Sequence, residues 1–296
     1  MMTADPLASV AAHFAQAPYC VRLGVVVEAV ALDRARIRVP YKDENSNPGR
    51  ALHGGVAASA IDVAGVLAAG TGLAEAKPLD VGTLDLSVNY LAAAIGEDIV
   101  AEAAVLRRGK EIAYSEVDVR NAAGKHIAKG LVTHRAVDPA RAAGEERQRV
   151  THAAQGGEER GEVPSLARAI LSVPFMASLG LSITHMRDGH AILHMPFTAE
   201  KADHGEVMHE GALAALVDTS GAMASWSVTG LDLRYKASTV GIHVNYHTPA
   251  RREDVVAEAR TWRRNDEIFL NQVTVSAGSS RRVVATGSVT YRIVVP

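Results

Sequence analysis

One cysteine, Cys20, is all that the 296 residues contain. That excludes an internal disulfide framework and fits a reducing compartment, so the expected location is the cytoplasm. Charge of one sign is lacking too: 31 Lys and Arg stand against 33 Asp and Glu, a formal net charge of −2. Without a basic field, nucleic acid is not an expected partner. The opening residues MMTADPLASV show neither the basic start nor the apolar core that directs secretion. No run reaches the roughly 18 uninterrupted apolar residues that suggest a bilayer span, so no membrane is expected either. Aromatic residues are scarce at 4%. P-loop, dinucleotide fingerprint and serine-elbow patterns do not occur. What is left is an ordinary globular composition, 48% hydrophobic and 22% charged, long enough at ~150 residues each for two domains.

What is present is a repeat. His53 returns as His209, Asp62 as Asp218, Thr83 as Thr239 and Tyr90 as Tyr246, always 156 positions later (209−53, 218−62, 239−83, 246−90). The register extends from Pro18 and Pro174 through EDIVAEA (97–103) and EDVVAEA (253–259), then slips by one where Gly130 pairs with Gly287. The chain therefore reads as a first domain over 1–137, a Glu/Arg/Gly/Ala-rich linker over 138–164 and a second domain over 165–296. Each copy predicts a short helix (7–17, 166–172) and a strand within 21–31 or 178–186. A second, alternating strand follows in RARIRVPY or HAILHMPF. Next comes an Ala/Gly-rich buried helix, RALHGGVAASAIDVAGVLAAGTG (50–72) in the first copy, and then four more strands. A helix apolar all round, set among antiparallel strands, is an α+β arrangement in which the sheet wraps the helix.

HGG at 53–55, with an acid nine residues after the His, resembles the hotdog-fold acyl-CoA thioesterases of the phenylacetate-pathway (PaaI-like) type. Asn47, six residues before the His, belongs to the same pattern. So do Thr83 and Thr239, seven residues before the Tyr of each VNY, and the turn RRGKEIA (107–113). The resemblance covers about 14–136 and 168–294. It implies two tandem hotdog domains, an intrachain counterpart of the dimer that single-domain relatives form. It also implies hydrolysis of an acyl-CoA substrate without metal or added cofactor, the CoA being part of the substrate. Arg107, Arg108 and Lys110 would lie near the CoA phosphates.

Elementary geometry adds a constraint. Asp62 lies eight residues after Gly54, ~12 Å along a helix axis. It cannot serve a carbonyl held at the start of its own helix, where unpaired N–H groups suit an oxyanion. Two such helices packed antiparallel would bring each acid to the other's start. That predicts one composite site from Asn47, His53 and Gly54 with Asp218 and Thr239. A second would join Asp203, His209 and Glu210 with Asp62 and Thr83. In the second, Asp203 and Glu210 replace Asn and Gly, and the added carboxylates oppose an anionic transition state. The expectation is a working first site and a weakened second one.

Plainer readings stand beside these. The two Asp residues could hold backbone groups, His53 could cap its helix, and Asn47 could be a turn residue. Thr83 and Thr239 could be ordinary strand residues, and Arg107, Arg108 and Lys110 a solvated hairpin. At the level of function, a non-catalytic acyl-CoA sensor and a hotdog enoyl-CoA hydratase or dehydratase are the alternatives to the thioesterase. Open sheet edges favour a homo-oligomer, a dimer or trimer of such chains.

Overall fold

A computed structural model describes residues 6–72, 80–137, 163–232, 234–278 and 281–295. The expected linker, apart from residues 163 and 164, lies outside them. The first half runs α1 (Pro6–Ala15), α2 (Pro18–Leu23), β1 (Val26–Ala31), β2 (Arg34–Val39), α3 (Gly54–Thr71), β3 (Asp80–Tyr90), β4 (Ile99–Arg108), β5 (Ile112–Asn121) and β6 (His126–Val137). The second half repeats the order as α4 (Ser165–Leu171), α5 (Pro174–Ser178), β7 (Ser182–Arg187), β8 (His190–Met195), α6 (Glu210–Thr229), β9 (Lys236–Tyr246), β10 (Val255–Asn265), β11 (Ile268–Ala277) and β12 (Arg282–Val294).

The single short helix predicted at the start of each half is two helices. Pro18 and Pro174 sit at the first position of the second one, where a missing N–H costs nothing. Residues 21–23, predicted as strand, close α2. Gly24 then stops it at φ 78°, its N–H bonding the carbonyls of Cys20 and Val21.

Among the described residues twelve strands form one antiparallel sheet in the order β1-β2-β4-β5-β6-β3-β9-β12-β11-β10-β8-β7. The halves meet at its centre, where Asp85 to Asn89 of β3 pair with Asn245 to Gly241 of β9. Each six-stranded half curls around its own long helix, so α3 touches β2, β4, β5 and β6, while α6 touches β8, β10, β11 and β12. The remaining side of each helix packs on the other helix. This is why α3, though long and apolar enough to span a membrane, has 94% of its length buried in protein. The architecture is a tandem pair of hotdog domains.

Small residues let the two helices touch. A Cβ on Gly55 would stand 2.5 Å from the Cβ of Ala215, and one on Gly211 would stand 2.7 Å from Oγ of Ser59. The helices thus cross antiparallel within their first ten residues. Gly55→Ala should cost about 1–3 kcal/mol of unfolding free energy by overpacking this contact. Gly82→Ala, which points a methyl into open space, should stay within about 0.5 kcal/mol. Urea unfolding of the two variants checks the pair.

Candidate active site

Each long helix starts the same way. His53 and His209 are extended, and their Nδ1 atoms accept the N–H of Gly55 (2.9 Å) and Gly211 (3.0 Å). Both imidazoles are helix caps. Burial holds them neutral, with pKa values lowered to about 4. Each ring packs on an aromatic residue of the opposite half: His53 on Phe175 at 4.6 Å, His209 on Tyr19 at 4.9 Å. Tyr19 and Phe175 occupy equivalent repeat positions. Sequence reasoning passed over them because their partners lie across the pseudo-dimer.

Gly54 is the first residue of α3, half-buried, and its N–H has no acceptor among the described residues. A Cβ there would lie 2.9 Å from Oδ2 of Asp218 and 3.3 Å from the Tyr90 ring. Tyr90 donates its hydroxyl to the Gly54 carbonyl at 3.1 Å. The second half's acid therefore does reach the first half's helix start. Thr239 donates to the other Asp218 oxygen, Oδ1, at 2.6 Å. Asp218 is only 3% exposed, and burial pushes its carboxyl up to about 6, although the Thr239 hydrogen bond pulls it down. A carboxyl poised there is a usable base near neutrality.

The mirror arrangement joins Asp62 to His209. Thr83 donates to Oδ1 of Asp62 at 2.7 Å, and Oδ2 lies 3.9 Å from Nδ1 of His209. Burial raises Asp62 to about 6 as well. Tyr246 donates to the Glu210 carbonyl at 3.0 Å. Asp62, His209 and Glu210 each place a donor atom within 4.8 Å of the others. They suit a metal ion poorly, because the lone pair of His209 Nδ1 is taken by Gly211 and the helix start is electropositive.

Two proposed site residues stand apart from this chemistry. Asp203 was expected to add negative charge beside Glu210, but its Oδ1 accepts the N–H groups of Gly205 (2.8 Å) and Val207 (2.9 Å). It shapes the loop before α6. Asn47 is half-buried in the matching loop, where its N–H bonds the Ala51 carbonyl at 2.7 Å. Its side chain makes no hydrogen bond among the described residues. Of the three cations assigned to CoA phosphates, Arg108 is committed elsewhere. It forms an ion pair with Asp33 and donates to the Ala69 carbonyl at 2.8 Å, closing the end of α3. Arg107 and Lys110 are exposed.

The fold defines a tandem hotdog protein, with two composite candidate sites at the crossing of its core helices. Residues 49–128 and 205–284 each match the Thioesterase superfamily, and the chain belongs to that family. Human acyl-coenzyme A thioesterase 13 is 36% identical over 111 residues, spanning 37% of this chain and 77% of that protein. The Escherichia coli medium/long-chain acyl-CoA thioesterase YigI is 35% identical over 94 residues, spanning 28% of this chain and 61% of its own. The crystal structure of the acyl-CoA thioesterase II TesB2 from Mycobacterium marinum superposes with a TM-score of 0.62 at 12% identity. That match covers 92% of this chain and 96% of that one, a likeness of fold.

The raised acids have a consequence for stability. An unfolded Asp titrates near 3.9, so Asp218 holds its proton more tightly when folded. That contribution is complete below pH about 4 and is lost as pH rises through about 6, leaving the ionised group unfavourable by about 3 kcal/mol at pH 8. Asp218→Asn, which keeps the acceptor for Thr239, should therefore be more stable than the parent at pH 8 by up to about 3 kcal/mol. The gap should close as pH falls from 6 towards 4, as read by urea unfolding at each pH.

Proposed function

We propose that the protein hydrolyses acyl-CoA thioesters at the site where Gly54 meets Asp218. The observation that carries this reading is the approach of Asp218 Oδ2 to Gly54, across the two halves. A thioester carbonyl at the start of α3 accepts the open Gly54 N–H, helped by the helix dipole. Only a residue without a side chain leaves room for it beside Asp218 and Tyr90. Asp218 takes the proton of an attacking water and passes it to the departing thiolate, or attacks the carbonyl carbon itself to form an anhydride that water then hydrolyses to the free acid. The new C–O bond forms as the carbonyl electrons move to oxygen, and collapse of the adduct expels the CoA thiolate. Thr239 fixes the carboxylate's second oxygen. His53 contributes by holding the Gly55 N–H, which aims the helix start.

At the counterpart site Glu210 carries a side chain where Gly54 has none. A carboxylate beside the developing oxyanion opposes its formation, so simple acyl thioesters are turned over at the first site. Names of the curated relatives support acyl-CoA as the substrate class.

Release of free CoA from an acyl-CoA panel, read with a thiol reagent, tests the reading. Asp218→Asn should lower kcat/KM at least about 100-fold, the usual scale for loss of a catalytic base, while Asp62→Asn retains activity. The kcat/KM profile should fall below pH about 6, where Asp218 gains its proton. Tight binding without CoA release would instead indicate a sensor. Consumption of an enoyl-CoA double bond without thiol release would indicate a hydratase.

A further inference from the structure

We infer that Tyr90 is a positioning residue for the first site: its hydroxyl pins the Gly54 carbonyl and so fixes the direction of the Gly54 N–H. This rests on the thioesterase reading, which gives that N–H its use. The need for a pin comes from the sequence. Gly54 and Gly55 are consecutive, and glycine is the residue with the most backbone freedom. They also open the first turn of α3, where N–H groups lack partners within the helix and ends fray. An oxyanion donor gains its effect from being aimed before the reaction starts. A start built from two glycines must therefore be held from outside.

The neighbouring N–H groups are held locally. Val56 donates to the His53 carbonyl at 2.9 Å, and Gly55 donates to His53 Nδ1 at 2.9 Å. Both bonds end on the residue just before the helix. Tyr90 reaches in from the sheet instead. Its hydroxyl donates to the Gly54 carbonyl at 3.1 Å, and its ring lies 3.3 Å from where a Gly54 Cβ would stand. Tyr90 ends β3, paired with Ala128 of β6, and directly follows Asn89, which pairs with Gly241 of β9. Two residues before Gly241 on β9 is Thr239, which holds Asp218. One seam of the sheet thus carries the hydroxyl that pins the donor and the hydroxyl that pins the acid. Burial and the nearby Asp218 carboxylate push the Tyr90 phenol well above its usual range, so it stays protonated and keeps donating at neutral pH. The second half offers an internal comparison. Tyr246 donates to the Glu210 carbonyl at 3.0 Å, but α6 opens with one glycine, Gly211, after Glu210. A residue with a side chain has the more restricted backbone, so the matching hydroxyl has less to hold.

Tyr90→Phe keeps the ring and removes the donor. It should lower kcat about fivefold to tenfold, the scale of one hydrogen bond, while KM for an acyl-CoA stays within about twofold. In protein carrying isotope-labelled glycine, the Gly55 amide should exchange with solvent faster by a similar factor of about fivefold to tenfold. Tyr246→Phe removes the matching bond, and Gly211 exchange should change less than about twofold. Adding Tyr90→Phe to Gly54→Ala should lower kcat little further than Gly54→Ala alone, because the hydroxyl acts through that residue. An unchanged kcat in Tyr90→Phe protein, a rise in KM alone, or equal acceleration at Gly55 and Gly211 would overturn the inference. The parent reading fails separately: it falls if the unmodified protein releases CoA from no thioester, and the exchange comparison then decides by itself whether Tyr90 holds the helix start.

Discussion

The contact on which the molecule turns is the antiparallel crossing of its two core helices, Gly55 on Ala215 and Gly211 on Ser59. It closes the apolar surface that each curled half-sheet leaves open. It also sets the distance between the start of one helix and the acid on the other. A bulkier residue at either glycine would move the N–H at one helix start away from the carboxylate of the other helix. The packing of the helices and the geometry of the candidate site therefore share one set of small residues.

Burial then tunes what the crossing assembles. Enclosed among apolar side chains, Asp62 and Asp218 are held near pKa 6 and the two capping histidines near 4. The histidines cannot serve as cations at neutral pH, and the acids change charge close to it. One hydroxyl per acid offsets part of the desolvation. Both halves share this arrangement and differ in what surrounds it. Gly54 of the first half is matched by Glu210 of the second. His134 opposite Thr83 is matched by Tyr291 opposite Thr239, and the Tyr291 hydroxyl accepts the Trp226 N–H.

The repeat, the antiparallel α+β layers and the cross-pairing of helix starts with acids were legible in the sequence. The constant offset gives the repeat, and a buried helix among alternating strands gives the layers. The 1.5 Å rise excludes each acid from its own helix start, and the antiparallel packing that sends it to the other is what the family resemblance implies. RARIRVPY and HAILHMPF begin where β2 and β8 begin, at Arg34 and His190. What the pattern hid were contacts between unlike residues. Asn45 and Lys201 do the same work, each donating to the carbonyl of Leu23 or Leu179 at 2.9 Å, yet they share no chemistry that a repeat search rewards. Asp203 read as a site acid because its spacing matched Asn47, whereas its bonds go to its own loop. Arg108 read as a phosphate ligand because nothing in the turn reveals Asp33, 75 residues away.

The central claim is that Gly54 and Asp218 act as one unit across the two halves, and a double-mutant cycle on kcat/KM measures it directly. Gly54→Ala sets a methyl against the Asp218 carboxylate, so Gly54→Ala/Asp218→Asn should be no slower than the worse single variant. Gly54→Ala/Asp62→Asn should show only the loss due to Gly54→Ala. Strong coupling of Gly54 to Asp62, with independence from Asp218, would contradict the account.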